Sequence, residues 1–130
     1  MKSILVKCLA VIMALGVWAT AGADSDYREV WNCKTNEGKT MDDVRAANSR
    51  WVKYMHANVD KGISSHIITN VVGGNANQGA FGYVDSFPSL EVWVAAKSAT
   101  EGDEEGEAID TELGEVADCT ENTLYEAEAS

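Results

Sequence analysis

The chain is poor in bases and in histidine, and each shortage removes a class of function. Its last base is Lys97: from Ser98 to Ser130 there are twelve acids and no lysine or arginine, out of 21 acids and ten bases in all. A surface of that sign repels phosphate, which excludes nucleic acid and an anionic membrane as partners. Only two histidines are present, His56 and His66. A transition-metal site would need both to converge with a carboxylate, and their spacing does not compel it, so no metal and no cofactor is expected. His56 is expected at the C-terminal end of a helix, where partial positive charge is welcome. No serine stands beside a paired base, and no internal repeat or linker is visible. Gly38-Lys39-Thr40 ends like a phosphate loop, but the place of the first glycine holds Cys33. Gly73 to Gly79 lacks the glycine spacing and the following helix of a dinucleotide site.

The apolar run from Leu9 to Val17 is too short to span a bilayer comfortably. With Lys2 and Lys7 before it and Ala21-Gly22-Ala23 after it, residues 1 to 23 read as a secretory signal peptide, leaving one domain over residues 24–130. Cys8, Lys2 and Lys7 leave with the peptide. Eight bases then face 21 acids, a net charge of −13. The remaining cysteines, Cys33 and Cys119, make an even pair in an exported chain, most simply one disulfide. The expected location is periplasmic or secreted, with no membrane contact after cleavage.

From Thr40 to Val59 the apolar residues Met41, Val44, Ala47, Trp51, Met55 and Val59 recur at three- and four-residue steps, with Asp42, Asp43, Arg45, Arg50 and Lys53 off the stripe. That is an amphipathic helix, opened by a capping box of Thr40 with Asp43 and followed by Gly62. Tyr27 to Lys34 before it is rich in aromatic and β-branched residues and reads as a strand. After it, Ser65 to Val72 and Ala80 to Asp85 read as two strands of a hairpin around a glycine-rich loop. A second helix opens at Ser86-Phe87-Pro88-Ser89, breaks at Glu101 to Gly106 and resumes from Glu107 to Asp118; Asn122 to Ser130 alternates as a last strand.

Strand, helix, strand, strand, helix, strand is the α+β ferredoxin-like βαββαβ order: a four-stranded antiparallel sheet with two helices on one face. In that topology the first and last strands are antiparallel neighbours, so Cys33 at the end of one lies beside Cys119, just before the other. The order, the short chain and the bulk on both strand faces (Trp31 against Val30; Ile68 against Ile67 and Val71) resemble the dimeric α/β-barrel superfamily, whose members pair two such sheets face to face. The resemblance implies a homodimer. Members include cofactor-free monooxygenases, isomerases, haem enzymes and ligand-binding or stress-related domains, so it constrains fold more than function.

Polar residues on otherwise apolar strands, Asn32, His66, Asn70, Tyr83 and Asp85, with Trp31 and Trp93 nearby in the pattern, are the candidates for a ligand pocket; a mutual pairing or a dimer interface would also satisfy them. Whether they share a face depends on strand register. No catalytic residue stands out. The acidic break fits a twelve-residue calcium loop from Glu101 to Glu112, with Gly106 at its turn position, although its first position is Glu and Ile109 falls one place late. A solvated acidic bulge is the plainer reading. The residues thus favour a non-enzymatic exported module binding a small apolar or aromatic ligand, or acting in protein interaction. The alternatives are a cofactor-independent monooxygenase or isomerase and a calcium-binding protein.

Overall fold

The computed structural model describes residues 26–73 and 79–130. The leader expected over residues 1–23 lies outside them, as does most of the glycine-rich loop. The elements are β1 (Asp26–Thr35), α1 (Met41–Asn58), β2 (Ser64–Ile68), β3 (Ala80–Phe87), α2 (Leu90–Ser98), α3 (Glu104–Val116) and β4 (Ala117–Ala127). The sheet order is β2-β3-β1-β4 and every pairing is antiparallel. This is the ferredoxin-like arrangement, with the second helix divided into α2 and α3.

Helix α1 starts where its cap dictates. Thr40 accepts from the Asp43 amide while the Asp43 carboxylate accepts from the Thr40 amide at 2.8 Å, a closed capping box. Its stripe buries Val44, Ala47 and Met55 against the sheet. His56 lies in the last turn, with its Nε2 2.6 Å from the Ile63 carbonyl. Two apolar clusters result: Val44, Ala47, Phe81, Tyr83 and Val116 at one end, and Tyr54, Met55, Ile63, Phe87, Ala96 and Ile109 at the other.

Three boundaries differ from the sequence-based expectation. Strand β2 ends at Ile68 rather than Val72, because its register against β3 ends at Ile68 and Gly82; Val71 and Val72 beyond it are more than nine-tenths exposed. Strand β3 runs on to Phe87, whose ring is buried in the second cluster, and the helix cap is Ser89, which accepts from the Val92 amide at 3.2 Å. Strand β4 begins at Ala117, so Cys119 lies inside it, directly opposite Cys33. The register shifts between Asn32 and Cys33, which leaves Thr120 as the extra residue of a bulge.

Cys33 and Cys119 are disulfide-bonded across the central strand and the edge strand, closing a separation of 86 residues. Cross-linking so long a loop restricts the unfolded chain far more than the folded one, which stabilises by about 4.6 kcal/mol in the chain-entropy account. Chemical denaturation of the Cys33→Ser/Cys119→Ser protein is therefore expected to show a loss of about that size. Unfolding midpoints that coincide with those of the unaltered protein would contradict it.

Candidate functional site

Between the sheet and the three helices lies a cavity of about 500 Å³. Alternation on β1 turns Tyr27, Glu29, Trp31 and Cys33 toward the helices, and on β3 it does the same for Phe81, Tyr83, Asp85 and Phe87. Trp31, Tyr83 and Asp85 thus form the floor; Asn48, Trp51 and Met55 from α1, Lys97 from α2 and Leu113 from α3 form the walls.

Two unlike acids are buried on this face of the sheet, Asp85 in the cavity floor and Glu29 beside it on β1. Glu29 is 1% exposed, yet fully met: Lys97 forms an ion pair with it, Asn122 donates to its Oε1 at 2.7 Å and the Trp93 indole donates to its Oε2 at 3.3 Å. Lys97 in turn lies over Trp31 and Trp93, 5.3 and 5.7 Å from the ring centroids. Asp85 is 8% exposed, and its Oδ1 has no hydrogen-bond partner among the described residues. Burial pushes its pKa up to about 6, with the Ser65 hydroxyl directly across on β2 opposing the rise and the Glu29 charge adding to it. Two positions away on the same face, the Tyr83 hydroxyl is also unpartnered; burial, and then the Asp85 charge, push it up to about 12. Near neutral pH the pair therefore combines an acceptor and a donor, on two residues that line an aromatic-walled space.

Of the sequence candidates, Trp31, Tyr83 and Asp85 share the cavity, and Trp93 stands behind it, holding Glu29. Asn32 and His66 belong to the opposite parity and lie exposed on the other face of the sheet, while Asn70 follows the end of β2. One face cannot hold all seven, because register against β3 places Ser65 and Ile67, not His66, opposite Asp85 and Tyr83. Asn32 and Asn70 line a separate hollow of about 420 Å³ with Lys34 and Thr120. The acids at Glu101 to Glu112 are arranged otherwise than a calcium loop requires. Helix α3 already begins at Glu104, Asp103 is its cap and accepts from the Gly106 amide at 2.9 Å, and Glu112 pairs with Arg50. Gly106 is needed for close packing, since a Cβ there would fall 2.7 Å from the Thr100 Cα. No cluster of three or more potential metal ligands forms among the described residues.

Glu29, Lys97, Asn48 and Trp51 are the site residues that sequence alone passed over. The available signal was slight: Glu29 is the lone acid on the apolar parity of the first strand, and Lys97 follows Trp93 by one helical turn.

No protein-family model matches the chain, and no curated protein matches it in sequence. Solved structures match it in shape. SnoaB, a cofactor-independent oxygenase from Streptomyces nogalater, superposes with a TM-score of 0.58 at 8% identity over 82% of this chain and 96% of that one. What such structures share with this chain is the ferredoxin-like fold, a four-stranded antiparallel sheet carrying its helices on one face. A candidate antibiotic biosynthesis monooxygenase from Chloroflexus aurantiacus J-10-fl gives 0.56 at 13% identity, covering 82% and 96% of the two chains. A second, from Caulobacter crescentus CB15, gives 0.54 at 11%, covering 83% and 92%. At such identities the likeness is one of fold.

Two measurements follow from the buried acids. Lys97→Met leaves Glu29 closed in without its counter-charge and is expected to cost about 3 kcal/mol, whereas Glu29→Gln/Lys97→Met recovers most of that loss; additive losses in the double-mutant cycle would contradict the pairing. Asp85 keeps its proton to higher pH when folded than its ordinary value of 3.8 allows, so the folded state binds more protons between about pH 4 and 6. Its contribution to stability is greatest at low pH and is lost as pH rises through about 6. Asp85→Asn should then be more stable than the unaltered protein by about 3 kcal/mol above pH 7, with the gain shrinking toward pH 4. A gain independent of pH in urea titrations would refute the assignment.

Proposed function

We propose that the protein is an exported small-molecule-binding module whose sheet–helix cavity takes a ligand with an aromatic or apolar body and a polar group directed at Asp85 and Tyr83. The observation that carries this reading is the pair of buried, unpartnered polar atoms, Asp85 Oδ1 and the Tyr83 hydroxyl, on two residues that line a space walled by Trp31, Trp51, Met55 and Leu113. Buried polar atoms are ordinarily satisfied, and two side by side in a roomy apolar pocket are a pair of contacts left for a guest. Export is supported by the leader-like residues 1 to 23 and by the disulfide. A homodimer formed through the open face of the sheet is supported by the fold and by Val30, Val84, Ile68 and Tyr125, which that face leaves at least partly exposed.

A second reading, a cofactor-independent oxygenase, is favoured by one feature: a carboxylate titrating near 6 beside an aromatic pocket suits proton abstraction from a bound substrate. SnoaB, which shares the fold, is described as such an oxygenase. The two readings separate on Asp85→Asn. A catalytic base removed costs at least about a hundredfold in turnover. A pure binding site shows no turnover to lose.

Native mass spectrometry of protein purified without denaturation is expected to show a disulfide-bonded dimer with added mass, and Trp51→Ala with Tyr83→Phe is expected to lose that mass while keeping the dimer. A species that is monomeric and empty would count against both parts.

A further inference from the structure

We propose that the ligand of this cavity is an organic cation, an ammonium group carried on an aromatic or apolar body. This rests on the cavity reading above and adds the sign of the ligand's charge. The argument is one of unbalanced charge. Three acids line the cavity: Asp85 on the floor, and Asp110 and Asp118, both solvent-exposed. The single lining cation is Lys97, and Glu29 already neutralises it. Asp85, Asp110 and Asp118 form no ion pair among the described residues. Asp85 is more than nine-tenths buried with one oxygen unpartnered, so its charge is held in poor solvent, offset only in part by the Ser65 hydroxyl and by Lys97, which is already paired with Glu29.

A guest that brings a positive charge to Asp85 Oδ1 removes that penalty, and one that brings only a hydroxyl satisfies the hydrogen bond but leaves the charge. An anion would meet Asp85 with no free cation to receive it. The aromatic walls suit the same guest. Lys97 itself lies over the Trp31 ring at 5.3 Å, so this ring face already receives an ammonium group, and Trp51 offers a second π surface in the wall. At longer range, the formal charge of −11 raises the local concentration of cations around the mouth.

Isothermal titration of the full chain near neutral pH with phenethylamine, phenethyl alcohol and hydrocinnamate, a cation, a neutral molecule and an anion on similar bodies, tests the sign. Phenethylamine is expected to bind at least about tenfold more tightly than phenethyl alcohol, because its bond to the carboxylate is charge-assisted, and hydrocinnamate more weakly than either. Asp85→Asn is expected to abolish the preference for the amine over the alcohol. The exposed Asp118→Asn, which puts no burden on folding, is expected to weaken the amine by about threefold and the alcohol not at all. If the alcohol binds as tightly as the amine, or if the preference survives Asp85→Asn, the cation is overturned and the cavity reading stands. If none of the three binds at millimolar concentration, both fall.

Discussion

Glu29 is a charge enclosed between sheet and helices, and the elements that reach it are pinned by the need to satisfy it. An isolated carboxylate in such a place would be prohibitively costly, so it persists only where donors converge. Here they come from three directions: Lys97 and Trp93 from α2, and Asn122 from the edge strand β4. The order of strands puts β1 in the middle with β4 beside it, and α2 crosses above. A shift of β4 by one residue would turn Asn122 to the far face and leave Glu29 Oε1 without its donor. The buried acid thus ties the strand register to the position of a helix more than sixty residues away in the chain.

The disulfide acts on the same pair of strands from the other end. Cys33 and Cys119 face each other directly, while the bulge just before Cys33 absorbs one residue between this anchor and the Glu29 and Asn122 contact. With β1 and β4 joined at both places, their register beside β3 is fixed. That matters for Asp85 and Tyr83 on β3, because polar atoms can be kept unpartnered in a pocket only where the backbone beneath them cannot relax to satisfy them. One buried acid, Glu29, is met by three donors; the other, Asp85, keeps an oxygen without a partner among the described residues.

Much of the architecture was legible in the residues, and the reasons are local. The stripe and capping box of α1, the alternation of β1 and β3 and the break between α2 and α3 depend on neighbours three or four positions apart. The pairing of the cysteines followed once the order of elements was known. The candidate site was legible in part. Asn32 and Asp85 look alike in sequence, each a polar residue on an apolar strand, and only pairing register puts one on the open face and the other under the helices. The acidic stretch after Lys97 matched a calcium loop by spacing, but spacing does not reveal that α3 begins within it and that Gly106 is pressed against Thr100.

The sequence by itself determined the sign of the surface charge, the presence of one amphipathic helix, the order of strands and helices and the one disulfide, because each follows from composition or from periodicities of two and 3.6 residues. Tertiary structure alone decided which acids are buried, and which of those is satisfied. Glu29 and Asp85 lie on neighbouring strands and were indistinguishable as residue types. Their different roles come from contacts with Lys97, Trp93 and Asn122, whose distance in sequence carries no local signal and whose meeting depends on how strands and helices are packed.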